Sequence, residues 1–188
     1  TKELMQYVSV FEATILGDCE KTHDNFCQNT GAYKKLINNL KTLTSLNATI
    51  GIAINIIPHN AKSIYDMIKN LIINERVKID YIILQRIVPF GRALDSDEYN
   101  LTKESANLAL ECIDRIHKDF NIKITVEDPF PLCVIEEKYW KYMNPCEWGY
   151  KKAALNGEGD FSRCGADPRY LLGNIFETPI LEIWENSP

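Results

Sequence analysis

No apolar run in the sequence approaches the roughly 20 residues that a membrane-spanning helix needs. The most apolar stretch, 50–58, is interrupted by Asn55. Basic residues are also too few for a surface that binds nucleic acid or anionic lipid, because 21 lysines and arginines stand against 26 aspartates and glutamates, a net charge of −5. The sequence therefore predicts neither a nucleic-acid partner nor a membrane partner.

A secretory signal is missing as well. The chain begins with Thr1 rather than with methionine, and no basic segment followed by an apolar segment stands near its start. Low-complexity tracts and internal repeats are also absent. Because 45% of the 188 residues are hydrophobic, the chain has enough apolar side chains for a folded core. We expect a folded piece of a longer, cytoplasmic protein.

Strand and helix patterns alternate along the first two-thirds of the chain. Short β-branched and apolar runs predict strands at 6–11, 50–57, 79–87 and 122–126. Apolar residues three and four positions apart predict helices at 32–46, from a cap at Asn60 to about residue 72, and from Thr102 to about residue 120. The polar stretch up to residue 29 is predicted as a loop. Strands followed by helices in this order predict an α/β fold with a parallel sheet.

The pattern changes near residue 128, where glycines, aromatics and cysteines become frequent and helical periodicity weakens. We predict one domain at 1–127 and a second at 128–188. In the second, we predict a small hairpin from 153–156 and 161–163, a strand at 171–176 and a helix that starts at Pro179. A parallel sheet of three or four strands would leave an edge unpaired, so we expect the first domain to be the second half of a larger barrel or open sheet.

The six cysteines are the best candidates for chemistry. Their even number permits disulfides, but a chain with this large a core does not need them, and a metal site is the better interpretation in a reducing compartment. The most informative spacing is Cys146-x12-Gly159-x4-Cys164. Thiolates are the ligands of iron–sulfur clusters, and a hairpin can bring these two together. Gly159 would let the turn bend and leave room for a cluster near the backbone.

The segment LLGNIFETPILEIW, from Leu171 to Trp184, follows this spacing. Together they resemble the opening of the SPASM or Twitch auxiliary-cluster domain of radical S-adenosylmethionine enzymes. The first two-thirds of the chain resemble the partial barrel of the same family. The fourth strand and helix of that barrel are matched by VSVFEAT, KTHDNF and TGAYKKLINNLKTL, and the sixth strand and its loop are matched by RIVPFGRA. The resemblance covers nearly the whole chain.

The resemblance implies a fold, two kinds of cofactor and a set of site residues. The fold would be the C-terminal half of a partial (β/α)6 TIM-like barrel, followed by a small α+β auxiliary-cluster region. The cofactors would be one or more [4Fe-4S] clusters and S-adenosyl-L-methionine. Cys146 and Cys164 would be cluster ligands with Cys133 as a third, whereas Ser9 and Val88 would contact S-adenosylmethionine. No catalytic residue is assigned.

Two features depart from the family pattern. The CxxxCxxC loop that holds the radical-generating cluster does not occur in this sequence, so we expect this piece to be inactive alone. An arginine that meets the methionine carboxylate usually follows the His23-Asp24 pair, but Cys27 and Gln28 stand near that place.

In function, the resemblance implies a radical oxidoreductase or maturase. A 5′-deoxyadenosyl radical would abstract hydrogen from a peptide or small-molecule substrate, and a flavodoxin or ferredoxin would supply electrons.

Two alternatives remain open at this point. One is a non-catalytic α/β binding module whose cysteines hold a structural zinc ion or nothing, although no CxxC knuckle is present. The other is a flavodoxin-like nucleotide-binding domain, although no glycine-rich phosphate loop follows any predicted strand.

Several further residues have simple structural interpretations. Cys112 is predicted in the core of its helix, whereas Cys19 and Cys27 are predicted as spare thiols in a polar loop. His23 is expected to cap a turn or to face solvent. The aromatics Tyr139, Trp140, Tyr142 and Trp148 would either pack beneath the cluster or line a peptide groove.

Overall fold

The computed structural model describes residues 3–88, 97–165 and 170–186. The chain forms two compact units. The first combines Thr1–Ile87 with Ser96–Asn144, and the second combines Val88–Asp95 with Pro145–Pro188. The predicted boundary between 127 and 128 stays a prediction. Residues such as Phe130 and Tyr139, which follow it, are buried in the core of the first unit.

The first unit is built on a four-stranded parallel sheet. Its strands are β1 (Val10–Ile15), β2 (Thr49–Ile56), β3 (Tyr81–Arg86) and β4 (Lys123–Glu127), and they lie in this order across the sheet. The register pairs Ala13 with Ile52, Ile52 with Ile82, and Ile82 with Ile124. The prediction of an α/β fold with a parallel sheet is confirmed.

In the described part of the chain, four α-helices accompany this sheet: α1 (Glu20–Cys27), α2 (Ala32–Ser45), α3 (Ile64–Lys69, continued by a π-helical turn, Asn70–Asn74) and α4 (Lys103–Phe120). The predicted extents of α2 and α4 agree with the structure to within a residue. Helix α4 begins where Thr102 accepts a hydrogen bond from the Ser105 backbone N–H at 3.1 Å, and ends before Asn121, whose φ is 51°. Its buried stripe includes Ala109, Ile113 and Ile116, each of them 0% exposed.

One face of the sheet carries the core. The four β2 isoleucines at 50, 52, 54 and 56 are all 0% exposed and belong to one apolar cluster with the buried stripes of α2, α3 and α4. The alternate residues of the strands form what we call the polar face. It includes Glu12, Thr14, Gly51, Ala53, Asn55, Tyr81, Ile83, Gln85, Lys123, Thr125 and Glu127. Since successive side chains of a strand point to opposite sides, the face without the isoleucine stripe is available for other contacts.

Three predicted elements differ from the structure. Strand β1 begins at Val10 rather than at residue 6, and residues 4–6 form a 3-10 turn instead. Helix α1 occupies part of the stretch predicted as loop. Asn60 does not cap α3, because its amide accepts from the Ile57 N–H at 3.0 Å and donates to the Asn55 carbonyl at 2.8 Å. Residues 89–96, which include most of the RIVPFGRA segment, lie outside the described part of the chain.

Helix α1 escapes prediction for a physical reason. Its sequence EKTHDNFC has no apolar stripe, and His23 is its one buried residue. Side-chain hydrogen bonds hold its two ends instead. The Thr22 hydroxyl accepts from the Cys19 backbone N–H at 3.2 Å, and the Asp24 carboxylate accepts from the backbone N–H groups of Gly31 and Tyr33 at the start of α2. These two hydrogen bonds lower the pKa of Asp24.

The second unit contains a small antiparallel sheet and a helix. Strands β5 (Ala154–Leu155), β6 (Asp160–Ser162) and β7 (Leu171–Asn174) pair in that order, and α5 (Ile180–Asn186) follows. The predicted hairpin, strand and helix are therefore present. Helix α5 contacts β7 closely, since a Cβ atom added at Gly173 would lie only 3.2 Å from Ile183. A side chain at position 173 would require the Ile183 side chain to shift by a few tenths of an ångström.

Candidate functional site

The second unit contains a cavity of about 330 Å³ that two cysteines share. It is lined by Cys146, Trp148, Gly149, Arg163, Cys164, Leu172 and Trp184. Cys146 is exposed, Cys164 is half-buried, and neither forms a disulfide. The fold thus brings together two thiols that are 18 positions apart in the sequence.

The turn between β5 and β6 lies between these two thiols along the chain. Gly159 has φ of 84°, which other residues rarely adopt, and its carbonyl accepts from the Ile175 N–H at 2.9 Å. A Cβ atom at this position would lie 2.5 Å from the Phe176 ring and 3.0 Å from the Asn174 amide oxygen. Gly159 is thus required by its backbone conformation and its own neighbours. The expected role of making room for a cluster stays a prediction.

A network of three polar side chains holds the hairpin to β7. The Asn174 amide donates to one Asp160 carboxylate oxygen at 3.0 Å, and the Asn156 amide donates to the other at 3.1 Å. Asn156 also accepts from the backbone N–H groups of Glu158 and Asp160. The two amide donors lower the pKa of Asp160. The asparagine of the LGNIF segment therefore fixes the loop geometry of this unit, a role that its sequence context alone does not reveal.

Helix α5 completes one wall of the cavity. Ile183 is buried at 5% exposure, and the Trp184 ring packs edge-on against Phe161, with 6.2 Å between the ring centroids. Because Phe161 belongs to β6 and Trp184 lines the cavity, this contact ties the wall to the sheet. Trp148 lies on another part of the lining. This is the one predicted aromatic that reaches the cysteines, whereas Tyr139 and Tyr142 are buried in the first unit.

The two cysteine thiols of this cavity are the right type of ligand for a thiolate-bound metal group. A cubane cluster has four thiolate ligands, so these two cannot hold one alone. Across residues 3–88, 97–165 and 170–186, no three His, Cys, Asp or Glu side chains come together as metal ligands. Cys133 is exposed and belongs to the first unit. Its predicted role as a third ligand stays a prediction.

The remaining cysteines occupy structural positions. Cys112 is buried in α4, as predicted, and lies 3.6 Å from the carbonyl oxygens of Ala61 and Lys62. Cys19 immediately precedes α1 and Cys27 is its last residue, so neither lies in the predicted long loop.

A second cavity, of about 260 Å³, lies at the carboxyl ends of β1 and β2. Its lining includes Leu16, Gly17, Asp18, Thr22, Asn25, Phe26, Ile57, His59, Asn60, Ser63 and Glu98. Ligands of parallel α/β sheets bind at this edge, in the loops that follow the strands. The sequence pattern did not reveal this cavity, because its lining residues come from separate segments of the chain rather than from one motif.

His23 fixes one loop of this second cavity. It is 4% exposed, rather than capping a turn or facing solvent as expected, and its Nδ1 accepts from the Leu16 backbone N–H at 3.2 Å. The imidazole also packs edge-on against Tyr33, with 5.6 Å between the ring centroids. Burial lowers the pKa of His23, partly opposed by the Asp24 carboxylate, so the folded protein favours the neutral ring that can accept this hydrogen bond.

We expect His23→Phe to lower the free energy of unfolding by about 1–3 kcal/mol, because the half-buried Leu16 N–H would lose its acceptor. His23→Gln keeps an acceptor and should lose less. Since the folded-state pKa lies below 6.5, the wild-type stability conferred by neutral His23 is complete above that pH and declines as the pH falls below it. Urea denaturation between pH 5 and 8 measures both effects. Equal losses for Phe and Gln, or a His23→Phe variant as sensitive to pH as the wild type, would contradict this role.

The polar face carries hydrogen-bonding groups in register near the same edge. Asn55 on β2, Gln85 on β3 and Glu127 on β4 lie side by side, and all three are half-buried. Nearer the amino ends of the strands, the Tyr81 ring crosses over Gly51 and its hydroxyl lies 3.2 Å from the Glu12 carboxylate. Tyr81 thus covers the amino end of the polar face. The row of Asn55, Gln85 and Glu127 lies at the carboxyl end of the same face.

The two residues predicted to contact S-adenosylmethionine lie in different surroundings. Ser9 is exposed and immediately precedes β1, at the amino edge of the sheet. It is therefore at the edge opposite the second cavity. Val88 is half-buried and follows the end of β3 by two residues. Both assignments stay predictions.

Comparison with known proteins agrees with the resemblance recognised in the sequence. Residues 146–188 match the SPASM family, described as an iron–sulfur cluster-binding domain. No curated protein matches the sequence. The structure is similar to native anSMEcpe with bound AdoMet, with a TM-score of 0.67 and 14% identity, over 98% of this chain and 52% of that chain. A second structure, native anSMEcpe with bound AdoMet and Cp18Cys peptide, gives 0.61 and 14% identity over 94% and 51%.

The SPASM match confirms the resemblance recognised for the segment that holds Cys146 and Cys164, and the similar structures share the fold of this chain. The matching family model describes a domain that binds iron–sulfur clusters, and AdoMet is bound in the similar structures. Neither comparison supports the zinc or nucleotide-binding alternatives. The chain spans about half the length of these similar structures. Within the described residues, no helix combines the length and apolar character of a membrane span.

Proposed function

We propose that this chain is part of a radical S-adenosylmethionine oxidoreductase or maturase that modifies a peptide, with an auxiliary iron–sulfur cluster in its second unit. One observation carries the proposal. The two cysteines of the C-x12-G-x4-C spacing line a single cavity inside the segment that matches an iron–sulfur cluster-binding domain. A pair of buried packing cysteines would not need an open cavity between aromatic walls.

Within this proposal, the thiolates of Cys146 and Cys164 hold the auxiliary cluster and Cys133 supplies a further ligand. An iron–sulfur cluster supplies one-electron chemistry when it is bound. The chain's own residues give the site its shape: Gly159 sets the hairpin, Asn174 and Asp160 lock it, and Trp184 forms one wall of the cavity.

The polar face is the surface that we propose binds the peptide substrate. The amides of Asn55 and Gln85 can each donate and accept, as peptide groups do, and Glu127 can accept from a cationic or N–H group of the substrate. Their spacing across neighbouring strands is about 4.8 Å, which suits successive polar groups of one extended ligand. A similar structure that holds a peptide supports a peptide over a small molecule as the substrate.

S-adenosylmethionine would bind near the carboxyl edge of the sheet, where the second cavity lies. Val88, two residues beyond the end of β3, remains proposed from the sequence resemblance for this contact, whereas Ser9 precedes β1 at the opposite edge and does not fit a site there. We further propose a flavodoxin or ferredoxin as electron donor and the cytoplasm as location, since the cluster and its free thiols need reducing conditions.

The test of this function is hydrogen transfer from a peptide. The full-length protein is reconstituted anaerobically, mixed with S-adenosylmethionine and dithionite, and given a pool of deuterated peptides. We expect 5′-deoxyadenosine to form faster with the peptides than without them, and to carry deuterium. If its formation is the same with and without peptides and no deuterium is transferred, a peptide is not the substrate.

A further inference from the structure

Arg163 occupies a special position in the cysteine-lined cavity. It is adjacent to Cys164 in the sequence, and it lines the same cavity as both thiols. Among the lining residues that the structure describes, it is the one with a positive charge. The other cations of the described part of this unit, such as Lys151 and Lys152, are instead paired with Glu147, at 3.1 and 3.2 Å.

The position of Arg163 is set by packing on both sides of its side chain. Its guanidinium carbon lies 4.5 Å from the centroid of the Tyr170 ring, a cation–π contact. Its aliphatic stem lies against Gly149, where an added Cβ atom would come within 3.3 Å of the Arg163 Cβ. Gly149 has φ of 73°, so both its conformation and its lack of a side chain suit this contact. The charge is thus carried by a side chain that two neighbours hold at the cavity.

We propose that Arg163 is a positioning residue that raises the reduction potential of the auxiliary cluster held by Cys146 and Cys164. This inference rests on the proposed function. On reduction the cluster gains one electron, its core charge falls from 2+ to 1+, and the whole thiolate-ligated group becomes more negative by one charge. A fixed positive charge at the cavity favours the more negative form, because net charge and hydrogen bonding around a cluster set its potential.

The experiment is a redox titration of the reconstituted full-length protein, followed by electron paramagnetic resonance of the reduced auxiliary cluster. Arg163→Gln should shift the midpoint potential to a more negative value, and Arg163→Lys should restore most of the difference. Lys151→Gln is the matched control, because it removes the same charge from a side chain outside the cavity lining. Iron and sulfide content are measured for every variant, so that loss of the cluster is distinguished from a change in its potential.

Two results overturn the inference, and they differ from the failure of the proposed function. If Arg163→Gln keeps its iron but titrates like the wild type, Arg163 does not act on the cluster. A shift of equal size for Lys151→Gln would also contradict it, since the effect would then come from overall charge. If the wild-type protein holds no auxiliary cluster at all, the proposed function itself fails.

Discussion

Replacing Gly159 by alanine should destabilise the second unit by about 1–3 kcal/mol and lower its iron content. The φ of 84° is unfavourable for a residue with a side chain, and the added Cβ would collide with Phe176 and press on Asn174. Because Phe176 is 78% exposed, its ring can move aside, but the Asn174 amide is held by Asp160. The substitution therefore also disturbs the hydrogen bond between Asn174 and Asp160, which locks the hairpin.

Tryptophan fluorescence during denaturant unfolding measures this prediction, since Trp148 and Trp184 both line the cavity of this unit. Gly157→Ala is the matched control in the same turn, because a Cβ there meets nothing within 4 Å and its φ is not positive. It should change the stability by less than about 0.5 kcal/mol. A Gly159→Ala protein as stable as Gly157→Ala would show that the turn does not depend on this conformation.

The second large effect is expected on the polar face. Glu127→Gln should lower kcat/KM for the peptide by about 10-fold to 100-fold, because a hydrogen bond to a charged group contributes about 1.5–3 kcal/mol and the amide loses that charge. The exchange keeps the size of the side chain, so the fold should be unaffected. Steady-state kinetics with the peptide identified by deuterium transfer provide the measurement.

Glu136→Gln is the control for charge alone. Glu136 is exposed and paired with Lys138 at 2.8 Å, and it is not on the polar face. Its loss should leave kcat/KM within about twofold of the wild type. If Glu127→Gln has no larger effect than Glu136→Gln, the row on β2, β3 and β4 does not bind the substrate.

Much of the fold could be predicted because its signals are local. The isoleucines of β2 alternate as the buried residues of a strand do, and the apolar residues of α4 recur three and four positions apart as those of a helix do. Each pattern therefore predicts its element from the local sequence alone. Helix α1 could not be predicted in this way. It buries a histidine rather than an apolar stripe, and the groups that stabilise it lie in Thr22 and Asp24.

The site was predictable only where its residues follow a fixed spacing. Gly159 lies in the turn of the β5–β6 hairpin, and Cys146 and Cys164 flank that hairpin in the same continuous segment, so one stretch of sequence contains all three. The cavity at the carboxyl edge and the row of Asn55, Gln85 and Glu127 are assembled from separate strands. Their contact depends on the register of the sheet, which no single segment encodes.

The central claim is that the thiolates of Cys146 and Cys164 hold an iron–sulfur cluster. The most direct test is iron and acid-labile sulfide quantitation on the anaerobically reconstituted full-length protein and on its Cys146→Ala/Cys164→Ala variant, with Cys19→Ala as a control for losing a thiol elsewhere. We expect about eight or more irons per chain in the wild type and the control, and about four fewer in the double variant, since a cubane contains four. Equal iron and sulfide in all three proteins would contradict the claim and leave the two cysteines without a cluster.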